Sequence, residues 1–405
     1  MLSEIKEKYN PVNTISLPNL ILWWSGNLYS NLPFHEGTKG DSTVRRTVEI
    51  GEGTQLKVFI LLCILEIKSY LSTKAPHISN ARLKDGTVAA IKVLSAESSQ
   101  GVKEFLTEIN VIANIVHDNL VNLHGCCVEE NHRILVYGYL ENNSLAQTLL
   151  GGGHSSIQFD WHTRRRICID VARGLTFLHE EVQPHIIHRD IKASNVLLDK
   201  NLTAKISDFG LAKVIPANLT HISTRVAGTA GYLAPEYAIR GQVTRKADIY
   251  SFGVLLLEVV SGRCNTNRRL PATEQYLLER AWSLYERGEL VELVDSSLNN
   301  DLDLEEACKF LKVALLCTQD MPKLRPAMSI VVEMLTGQLE LNDKAISKPG
   351  LLSEFMDIKG GRGEKDKVNT KDTSDLVSAN SAKTSSSGMT SIATMTFNSI
   401  FDRSN

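Results

Sequence analysis

The sequence predicts an α+β fold built as two lobes with a cleft between them. Residues 81–140 hold two predicted strands, Thr87–Leu94 and Arg133–Leu140, with one predicted helix, Ala96–Ile115, between them. From residue 141 onward helical periodicity dominates, as in Trp161–Glu181. This order of elements, strands first and helices afterwards, is expected when a sheet-rich lobe is joined to a helical lobe.

The individual elements follow from residue type and spacing. Thr87–Leu94 is rich in β-branched residues and opens after the turn residues Asp85 and Gly86. Ala96–Ile115 carries apolar residues at helical spacing, namely Phe105, Ile109, Ile112 and Ile115. Ala247–Val260 is apolar on all sides, which predicts a helix buried inside a lobe.

Changes along the chain suggest three regions. Residues 1–49 have no clear periodicity and are predicted to be an irregular extension. Residues 50–338 form the predicted domain, with an N-lobe at 50–140 and a C-lobe at 141–338. Residues 339–405 are rich in Ser, Thr, Lys, Gly and Asp, so we expect a disordered tail.

Composition narrows the function classes. The 405 residues include 44 Lys and Arg against 46 Asp and Glu, a net charge of -2 that argues against a dedicated nucleic-acid binder. The 7 cysteines show no CxxC pair, which argues against a zinc site and favours reduced thiols. No run of apolar residues reaches the roughly 20 that a membrane span requires.

Ordered motifs carry the chemistry. His188–Asn195 reads His-Arg-Asp-Ile-Lys-Ala-Ser-Asn, Asp208–Gly210 reads Asp-Phe-Gly, and Ala234–Glu236 reads Ala-Pro-Glu. Upstream, Val88–Lys92 reads Val-Ala-Ala-Ile-Lys, and Glu108 lies in the helix predicted after it. Each motif alone is an ordinary turn or polar loop, but together, in this order, they form the protein kinase signature.

On these motifs the chain resembles the protein kinases, and specifically the plant receptor-like serine/threonine kinases, including the receptor-like cytoplasmic kinases. The closer resemblance lies in Asn119–Cys127 (NLVNLHGCC) and Gly228–Tyr237 (GTAGYLAPEY). It implies a two-lobed protein kinase fold, with a small β-rich N-lobe, a larger helical C-lobe and the ATP cleft between them. ATP and Mg²⁺ would then be the cofactors.

The resemblance assigns roles to the catalytic segment. Asp190 would accept the proton of the substrate hydroxyl, and Lys192 would neutralise charge on the transferred phosphoryl group. The lysine two residues after Asp190 resembles the serine/threonine kinases. Asn195 and Asp208 would offer hard oxygen ligands to Mg²⁺.

The same resemblance assigns the nucleotide-binding residues. Lys92 would hold the α- and β-phosphates, and Glu108 would fix Lys92 through an ion pair. Tyr137 resembles the gatekeeper residue of the interleukin-receptor-associated and plant receptor-like kinases. Leu140 would then present its backbone N–H to adenine.

Three further residues resemble the family's scaffold. Asp248 would hold the backbone of the catalytic loop from the start of the long central helix. Arg325 would form a buried ion pair with Glu236 and anchor the activation segment.

The activation segment contains hydroxyl groups near a cation. Because Arg189 precedes Asp190, a phosphate on the segment could pair with it and order the loop. Ser223 or Thr224 is the switch site we hypothesise, with Thr220 in the same stretch. Thr229 is predicted to shape the substrate pocket.

The glycine-rich loop departs from the family pattern G-x-G-x-x-G-x-V. Gly51 and Gly53 begin it, but Leu56 occupies the place of the third glycine. A side chain there obstructs the approach of backbone N–H groups to the phosphates. Residues 54–81 form an atypical insert with no family resemblance, so we expect weakened ATP binding or misfolding of the small lobe.

Two readings therefore compete. The catalytic side chains favour an active serine/threonine kinase of intracellular signalling, which would be a phosphoprotein and transferase. The disrupted loop favours a pseudokinase that serves as a scaffold. The resemblance implies protein substrates and receptor kinases as partners, and the charge balance argues against nucleic acid. Since the sequence shows no ectodomain and no membrane span, we expect a cytoplasmic location, and the relatives that the chain resembles often work at the inner face of the plasma membrane.

Overall fold

A computed structural model of the chain describes residues 22–24, 45–49, 55–59, 78–82, 88–95, 98–129, 132–151, 157–216, 219, 221–267, 269–271, 274–298 and 302–351. Within this part of the chain, strands concentrate before residue 140 and helices after it. The predicted α+β order is therefore confirmed.

The strands are short and numbered in chain order. They are β1 (Leu22–Trp24), β2 (Arg45–Glu49), β3 (Gln55–Phe59), β4 (Ile78–Arg82), β5 (Val88–Ser95), β6 (Leu123–Glu129), β7 (His132–Gly138), β8 (His185–Ile187), β9 (Val196–Leu198), β10 (Ala204–Ile206), β11 (Lys213–Ile215), β12 (Ile222–Ser223) and β13 (Gln242–Val243).

The α-helices, numbered in the same way, lie mainly in the C-lobe. They are α1 (Ser99–Ile112), α2 (Leu145–Thr148), α3 (Trp161–Thr176), α4 (Pro235–Arg240), α5 (Arg245–Ser261), α6 (Leu277–Glu286), α7 (Leu304–Cys317) and α8 (Met328–Thr336). A π-helical turn, Phe177–Glu181, extends α3 to the end of the predicted helix.

The N-lobe sheet has the order β1-β6-β7-β5-β4 among the described strands. Lys92 lies on β5, opposite Leu135 of β7 and Ile78 of β4, so neighbouring strands hold it on both sides. One face of the sheet is closed by a cluster of buried residues, namely Ala89, Ile91, Cys127, Ile134 and Val136. Alternation along the strands explains why apolar residues face this cluster.

The atypical insert supplies a strand of this sheet. β4 pairs antiparallel with β5 from Ile78 opposite Lys92 to Arg82 opposite Val88. Ordered pairing beside the Lys92 strand therefore begins at Ile78, inside the segment 54–81 that was predicted to be an atypical insert. β2 and β3 pair separately as an antiparallel hairpin whose last pair is Glu49 with Gln55.

The prediction of irregular structure for residues 1–49 is wrong at two places. Leu22–Trp24 forms β1, which pairs in parallel with β6, and Arg45–Glu49 forms β2. Both segments contain residues that favour strands, such as Trp and Val, and each pairs with another strand. Neither segment alternates apolar and polar residues, so the sequence carries no strand signal there.

Helix α1 carries Glu108 toward the cleft. The Ser98 hydroxyl caps the helix by accepting a hydrogen bond from the Gly101 N–H at 3.3 Å. The buried face of the helix includes Phe105, Glu108 and Ile109. This face packs against the sheet, which places a fully buried carboxylate beside β5.

Helix α5 is the centre of the C-lobe, as its apolar sequence predicts. Nearly all of its residues are buried, and it packs against α7. Gly253 permits this contact, because a Cβ atom there would lie 2.8 Å from the Ala314 carbonyl oxygen and 2.7 Å from Thr318 Cγ2. The buried Asp248 lies in the first turn of α5.

The packed part of the chain extends beyond the predicted boundary at residue 338. A compact unit ends at Gly350, and residues 343–345 form a 3-10 turn. The Gly350 carbonyl accepts a hydrogen bond from the Tyr250 hydroxyl at 2.7 Å. The prediction of a disordered tail from 339 is therefore wrong for residues 339–350, because polar composition does not reveal backbone hydrogen bonds to a distant helix. Residues 352–405 lie outside the described part.

Among the described residues, no helix combines the length and apolarity that crossing a bilayer requires. None of the cysteines in the same part of the chain forms a disulfide bond. Burial raises the pKa of Cys126 to about 12 and that of Cys317 to about 12.

Candidate active site

A lysine bridges two carboxylates where the two lobes meet. Lys92 Nζ lies 2.5 Å from Glu108 Oε1 and 2.8 Å from Asp208 Oδ1. Glu108 comes from α1 of the N-lobe, whereas Asp208 follows β10 of the C-lobe. The three residues that the sequence assigns to nucleotide and metal binding are therefore brought together.

The charges of this cluster depend on one another. Burial alone would lower the pKa of Lys92, but Glu108 and Asp208 raise it well above its ordinary value. Burial raises the pKa of Glu108 even though Lys92 opposes it. Burial also acts to raise the pKa of Asp208, but the nearby Lys92 ammonium holds it below its ordinary value. Lys92 therefore stays protonated and positively charged at neutral pH.

Tyr137 adds a contact that the sequence did not predict. It lies on β7 opposite Ala90, and its hydroxyl donates a hydrogen bond to Glu108 Oε2. Burial and the Glu108 charge raise the pKa of Tyr137 well above its ordinary value. Glu108 is thus held from both oxygens, by Lys92 and by Tyr137. The half-buried Leu140 lies two residues after the end of β7, in the connection between the lobes.

The catalytic segment forms a second cluster around Asp190. Thr229 Oγ1 donates to Asp190 Oδ1 at 2.7 Å, and Lys192 Nζ lies 2.9 Å from Asp190 Oδ2. Lys192 also donates to Thr229 Oγ1 at 2.8 Å. The Asn195 amide donates to the Asp190 carbonyl at 2.9 Å and to Oδ2 at 3.1 Å. Asp190, Lys192 and Asn195 therefore act as one hydrogen-bonded unit.

Asp248 holds the backbone of this segment. Its two oxygens accept from the His188 N–H at 2.7 Å and the Arg189 N–H at 2.8 Å. The His179 ring contributes a third contact at 3.0 Å. Burial alone would raise the pKa of Asp248, but these donors lower it, so the carboxylate stays charged. This arrangement holds Arg189 at a φ of 71°, a left-handed conformation that is strained for a residue with a side chain.

The Asp-Phe-Gly segment is fixed by its middle residue. Phe209 is fully buried and meets the His188 ring edge-on at a centroid distance of 4.8 Å. Asp208 takes a left-handed backbone conformation with a φ of 66°. Packing of Phe209 thereby turns the Asp208 carboxylate toward Lys92. A Cβ on Gly210 would lie 3.3 Å from Glu108 Oε1, so this turn sits tightly against α1.

A buried ion pair anchors the end of the activation segment. Arg325 Nη1 lies 2.6 Å from Glu236 Oε1, and Nη2 donates to Oε2 at 2.9 Å. The Arg325 guanidinium lies over the Tyr250 ring at 5.0 Å. The predicted pair is therefore present in bidentate form, the geometry that makes such pairs strong.

The comparison with protein families agrees with this geometry. The model described as "Protein tyrosine and serine/threonine kinase" matches residues 72–335, which is more than half of the chain. The chain belongs to this protein kinase family. The predicted two-lobed protein kinase fold is confirmed with it.

Several curated proteins of Arabidopsis thaliana are similar to this kinase. Cold-responsive protein kinase 1 is 72% identical over 279 residues, which cover 68% of this chain and 72% of that protein. A probable LRR receptor-like serine/threonine-protein kinase is 54% identical over 273 residues, or 67% of this chain and 26% of the relative. A second one is 56% identical over 262 residues, again 26% of its length. The predicted serine/threonine protein kinase is thus confirmed at the level of the family, and the comparisons do not favour the pseudokinase alternative.

Two predicted binding residues lie outside the described part of the kinase. Gly51 and Gly53 belong to residues 50–54, which join the described strands β2 and β3. The effect of Leu56, on β3, in place of the third glycine stays a prediction, as does that of Thr220 in the activation segment.

Sequence reasoning missed several contacts that complete the site of this kinase. The hydrogen bonds of Thr229 to Asp190 and Lys192 were not predicted, although Thr229 was expected near the substrate pocket. Neither were the contacts of Tyr137 with Glu108 and of Tyr237 with Arg189. The sequence offered one hint of these contacts, the short polar side chain of Thr229 shortly before Ala-Pro-Glu. The other contacts join residues far apart in the chain and leave no local pattern.

Proposed function

We propose that this chain transfers the γ-phosphate of ATP to serine and threonine hydroxyls of proteins, with Asp190 as the proton acceptor. The observation that carries the proposal is the ion-pair bridge from Glu108 through Lys92 to Asp208. It joins both lobes and brings a cation and an acidic oxygen ligand to the same edge of the cleft. Phosphoryl transfer depends mainly on such positioning and charge neutralisation.

The side chains around Asp190 suit the reaction. An Asp190 oxygen accepts a proton from the incoming hydroxyl and orients that oxygen toward the γ-phosphorus. Lys192, 2.9 Å from the same carboxylate, neutralises negative charge that develops on the transferred group. Thr229 donates to the other Asp190 oxygen and fixes the direction of the carboxylate. The substrate oxygen thus bonds to the γ-phosphorus as the bond to ADP breaks, with Lys192 beside the transferred group.

The nucleotide side is held by the other cluster. Lys92 binds the α- and β-phosphates, and Glu108 keeps its ammonium in place. Tyr137 and Leu140 would line the adenine side, and Gly51 and Gly53 the phosphate side. The Asp208 carboxylate, whose side chain is 45% exposed, and the Asn195 amide oxygen suit Mg²⁺, which prefers oxygen ligands. Bound there, Mg²⁺ would neutralise the phosphate oxygens.

A transfer assay tests the proposal. The purified chain is incubated with Mg²⁺ and ATP labelled at the γ-phosphate, with a generic protein substrate, beside the variants Asp190→Asn and Lys92→Met. We expect both variants to lose at least about 100-fold in rate, since positioned proton transfer and charge neutralisation are each worth that much. Phosphoamino-acid analysis should find phosphoserine and phosphothreonine.

The matched control is Asp343→Asn, which alters a surface carboxylate paired with Lys312. It should keep the rate of the unaltered chain. Incorporation by the unaltered chain that does not exceed that of Asp190→Asn would contradict the proposal and favour the scaffold reading.

We further propose that receptor kinases are partners and that the kinase works in the cytoplasm. Support comes from the likeness to about a quarter of the length of two probable LRR receptor-like serine/threonine-protein kinases. Mixing Asp190→Asn protein with the catalytic domain of such a receptor-like kinase should label this chain. No labelling above that of heat-denatured protein would contradict the partnership.

A further inference from the structure

Gly138 is the last residue of β7, where the chain leaves the N-lobe sheet. Its N–H donates to the Asn122 carbonyl at 3.0 Å. The connection to the C-lobe is held again at Asn142, whose N–H donates to the Leu198 carbonyl at 3.0 Å. Leu140 lies between these two attachments, so the position of its N–H depends on how firmly Gly138 is held.

A β-bulge beside this point brings the His124 ring to Gly138. The antiparallel register of β6 with β7 shifts between Leu123 and Gly125, so His124 is the extra residue of β6. A Cβ atom on Gly138 would lie 3.2 Å from His124 Nε2 and 4.0 Å from its Cε1. Within the described part of the chain, no atom of another residue beyond the immediate neighbours of Gly138 comes within 4 Å of that position. The histidine ring therefore borders the space that a side chain of residue 138 would take.

Glycine makes the end of β7 the most pliable point of this connection. A residue without a Cβ atom has more conformational freedom than any other residue, and it weakens a strand. Immediately before Gly138, Tyr137 is held by its hydrogen bond to Glu108. The backbone between Tyr137 and Leu140 therefore gains its restraint at residue 138 from outside, through the half-buried His124 ring that packs against it.

We propose that His124 is a positioning residue for the nucleotide, because its ring restrains Gly138 and thereby the Leu140 N–H. The proposal rests on the proposed function, in which Leu140 lines the adenine side of the ATP site. It gives a role to a histidine that lies outside every catalytic motif. His124 then affects ATP binding, whereas phosphate transfer at Asp190 does not depend on it.

The test is a double-mutant cycle in the full chain, with His124→Ala, Gly138→Ala and both changes together. Initial rates of phosphate transfer to the generic protein substrate give kcat and the KM for ATP. Calorimetric titration with Mg²⁺ and ATP gives the Kd. The matched control is His162→Ala, which removes an exposed histidine of α3. Thermal unfolding shows whether each variant is folded.

We expect His124→Ala to raise the KM and the Kd for ATP about fivefold, with kcat within about twofold of the unaltered chain. Without the ring, a Cβ atom at residue 138 has room and restricts the backbone of an extended strand residue. The double variant should therefore return to within about twofold of the unaltered KM. With the ring present, the same Cβ atom meets Nε2 at 3.2 Å, so Gly138→Ala alone should not lower the KM. His162→Ala should change neither constant.

A conservative variant separates packing from the chemistry of the ring. In His124→Gln, the side-chain amide reaches about as far from the backbone as Nε2 does, so the KM should stay within about twofold of the unaltered value. A fivefold rise in His124→Gln would contradict a packing role. If His124→Ala does not fold, His124→Ser also lacks the ring, and the same fivefold rise in KM is expected of it.

Two results would overturn the proposal. One is an unchanged KM and Kd for ATP when the ring is removed. The other is an equal effect of Gly138→Ala with and without the ring. Failure of the proposed function differs from both, because the unaltered chain would then bind no Mg²⁺ and ATP at millimolar concentration or show no transfer that depends on Asp190. That outcome would overturn both proposals, whereas tight ATP binding that ignores His124 overturns only this one.

Discussion

Glu108 is fully buried, and each of its two carboxylate oxygens has a different partner. Lys92 pairs with one, and Tyr137 donates to the other. Burial raises the pKa of Glu108, while both partners lower it. The strength of the Lys92 anchor therefore depends on a tyrosine of β7 as well as on the charge pair.

Replacing Tyr137 by Phe should change how kcat/KM for ATP depends on pH. The fall in kcat/KM on the acidic side should occur at a higher pH. Loss of the hydrogen bond that lowers the pKa of Glu108 raises that pKa further. As pH falls, Glu108 then becomes protonated, and its pair with Lys92 is lost, at a higher pH than in the unaltered chain. Measurement of kcat/KM for ATP between pH 5 and 9 checks this, with Tyr250→Phe as the control. An acidic limb that stays in place, or moves to lower pH, would contradict the explanation.

Glu258 is another buried carboxylate, on helix α5 of the C-lobe. It accepts hydrogen bonds from the Tyr232 hydroxyl and the Asn265 N–H, each at 2.7 Å. Burial raises its pKa to about 7 despite both bonds. The folded chain therefore binds this proton more tightly than the unfolded chain does. The stability contributed is full below the ordinary pKa of 4.5 and is lost as pH rises through about 7.

Replacing Glu258 by Gln should remove this pH dependence. The glutamine oxygen can still accept from the Asn265 N–H, and its NH2 group can donate to the Tyr232 hydroxyl oxygen. The amide carries no ionisable proton. At about 1.4 kcal/mol per pKa unit, the unaltered chain should lose roughly 3 kcal/mol relative to the variant between pH 4.5 and pH 8. Denaturant unfolding at several pH values measures the difference. Parallel stability curves for the two proteins would be the contrary result.

Among the elements, the segment after α8 has a role that its polar composition conceals. The Asp320 N–H donates to the Lys348 carbonyl at 3.1 Å, and the Gly350 N–H to the Thr318 carbonyl at 3.0 Å. The Ser347 hydroxyl donates to Gln319 at 2.6 Å. These bonds attach the segment beside Arg325, which pairs with Glu236 and so anchors the activation segment.

A chain that ends at Ala345 should be less stable than one that ends at Leu351. The shorter chain leaves buried groups of Gln319, Thr318 and Tyr250 without partners, each worth about 1 kcal/mol or more. We expect its Tm to fall by about 4 °C or more in thermal unfolding. Equal Tm values for the two chains would show that the segment only rests on the surface.

At the scale of the whole molecule, the N-lobe is divided into two sets of paired strands. β4, from the insert, lies beside the Lys92 strand, whereas β2 pairs with β3 alone. In the family pattern a glycine-rich loop leads directly into the strand beside the lysine. Here residues 54–77 lie between the first two glycines, Gly51 and Gly53, and β4. The start of the glycine-rich loop is therefore not continuous in sequence with the strand that pairs with β5.

Replacing residues 54–77 by Gly-Phe-Gly-Ser should restore the nucleotide loop. The change completes G-x-G-x-x-G-x and puts Ile78, a β-branched residue, where the pattern has Val. It also keeps β4 whole, whereas a deletion through Ala81 would remove most of that strand. Backbone N–H groups then approach the phosphates without a side chain. We expect the KM for ATP to fall at least tenfold.

The control is the same replacement combined with Asp190→Asn, which should bind ATP but transfer no phosphate. Calorimetric titration with Mg²⁺ and ATP separates binding from transfer. An unchanged KM and an unchanged Kd would show that the insert does not weaken the nucleotide site.

The sequence alone determined the two-lobed order and the residues that could do chemistry, because motifs and periodicity are local properties of the chain. The motifs, through the resemblance to protein kinases that they carry, pointed to Asp190, Lys192, Asn195, Lys92, Glu108 and Asp208. The predicted Arg325–Glu236 pair is also present in the structure. Only the tertiary structure decided the partners of Tyr137, Thr229 and Tyr237, the strand built from the insert, and the packing of residues 346–350. These contacts join residues distant in sequence, and hydrogen bonds between such residues leave no period in a sequence.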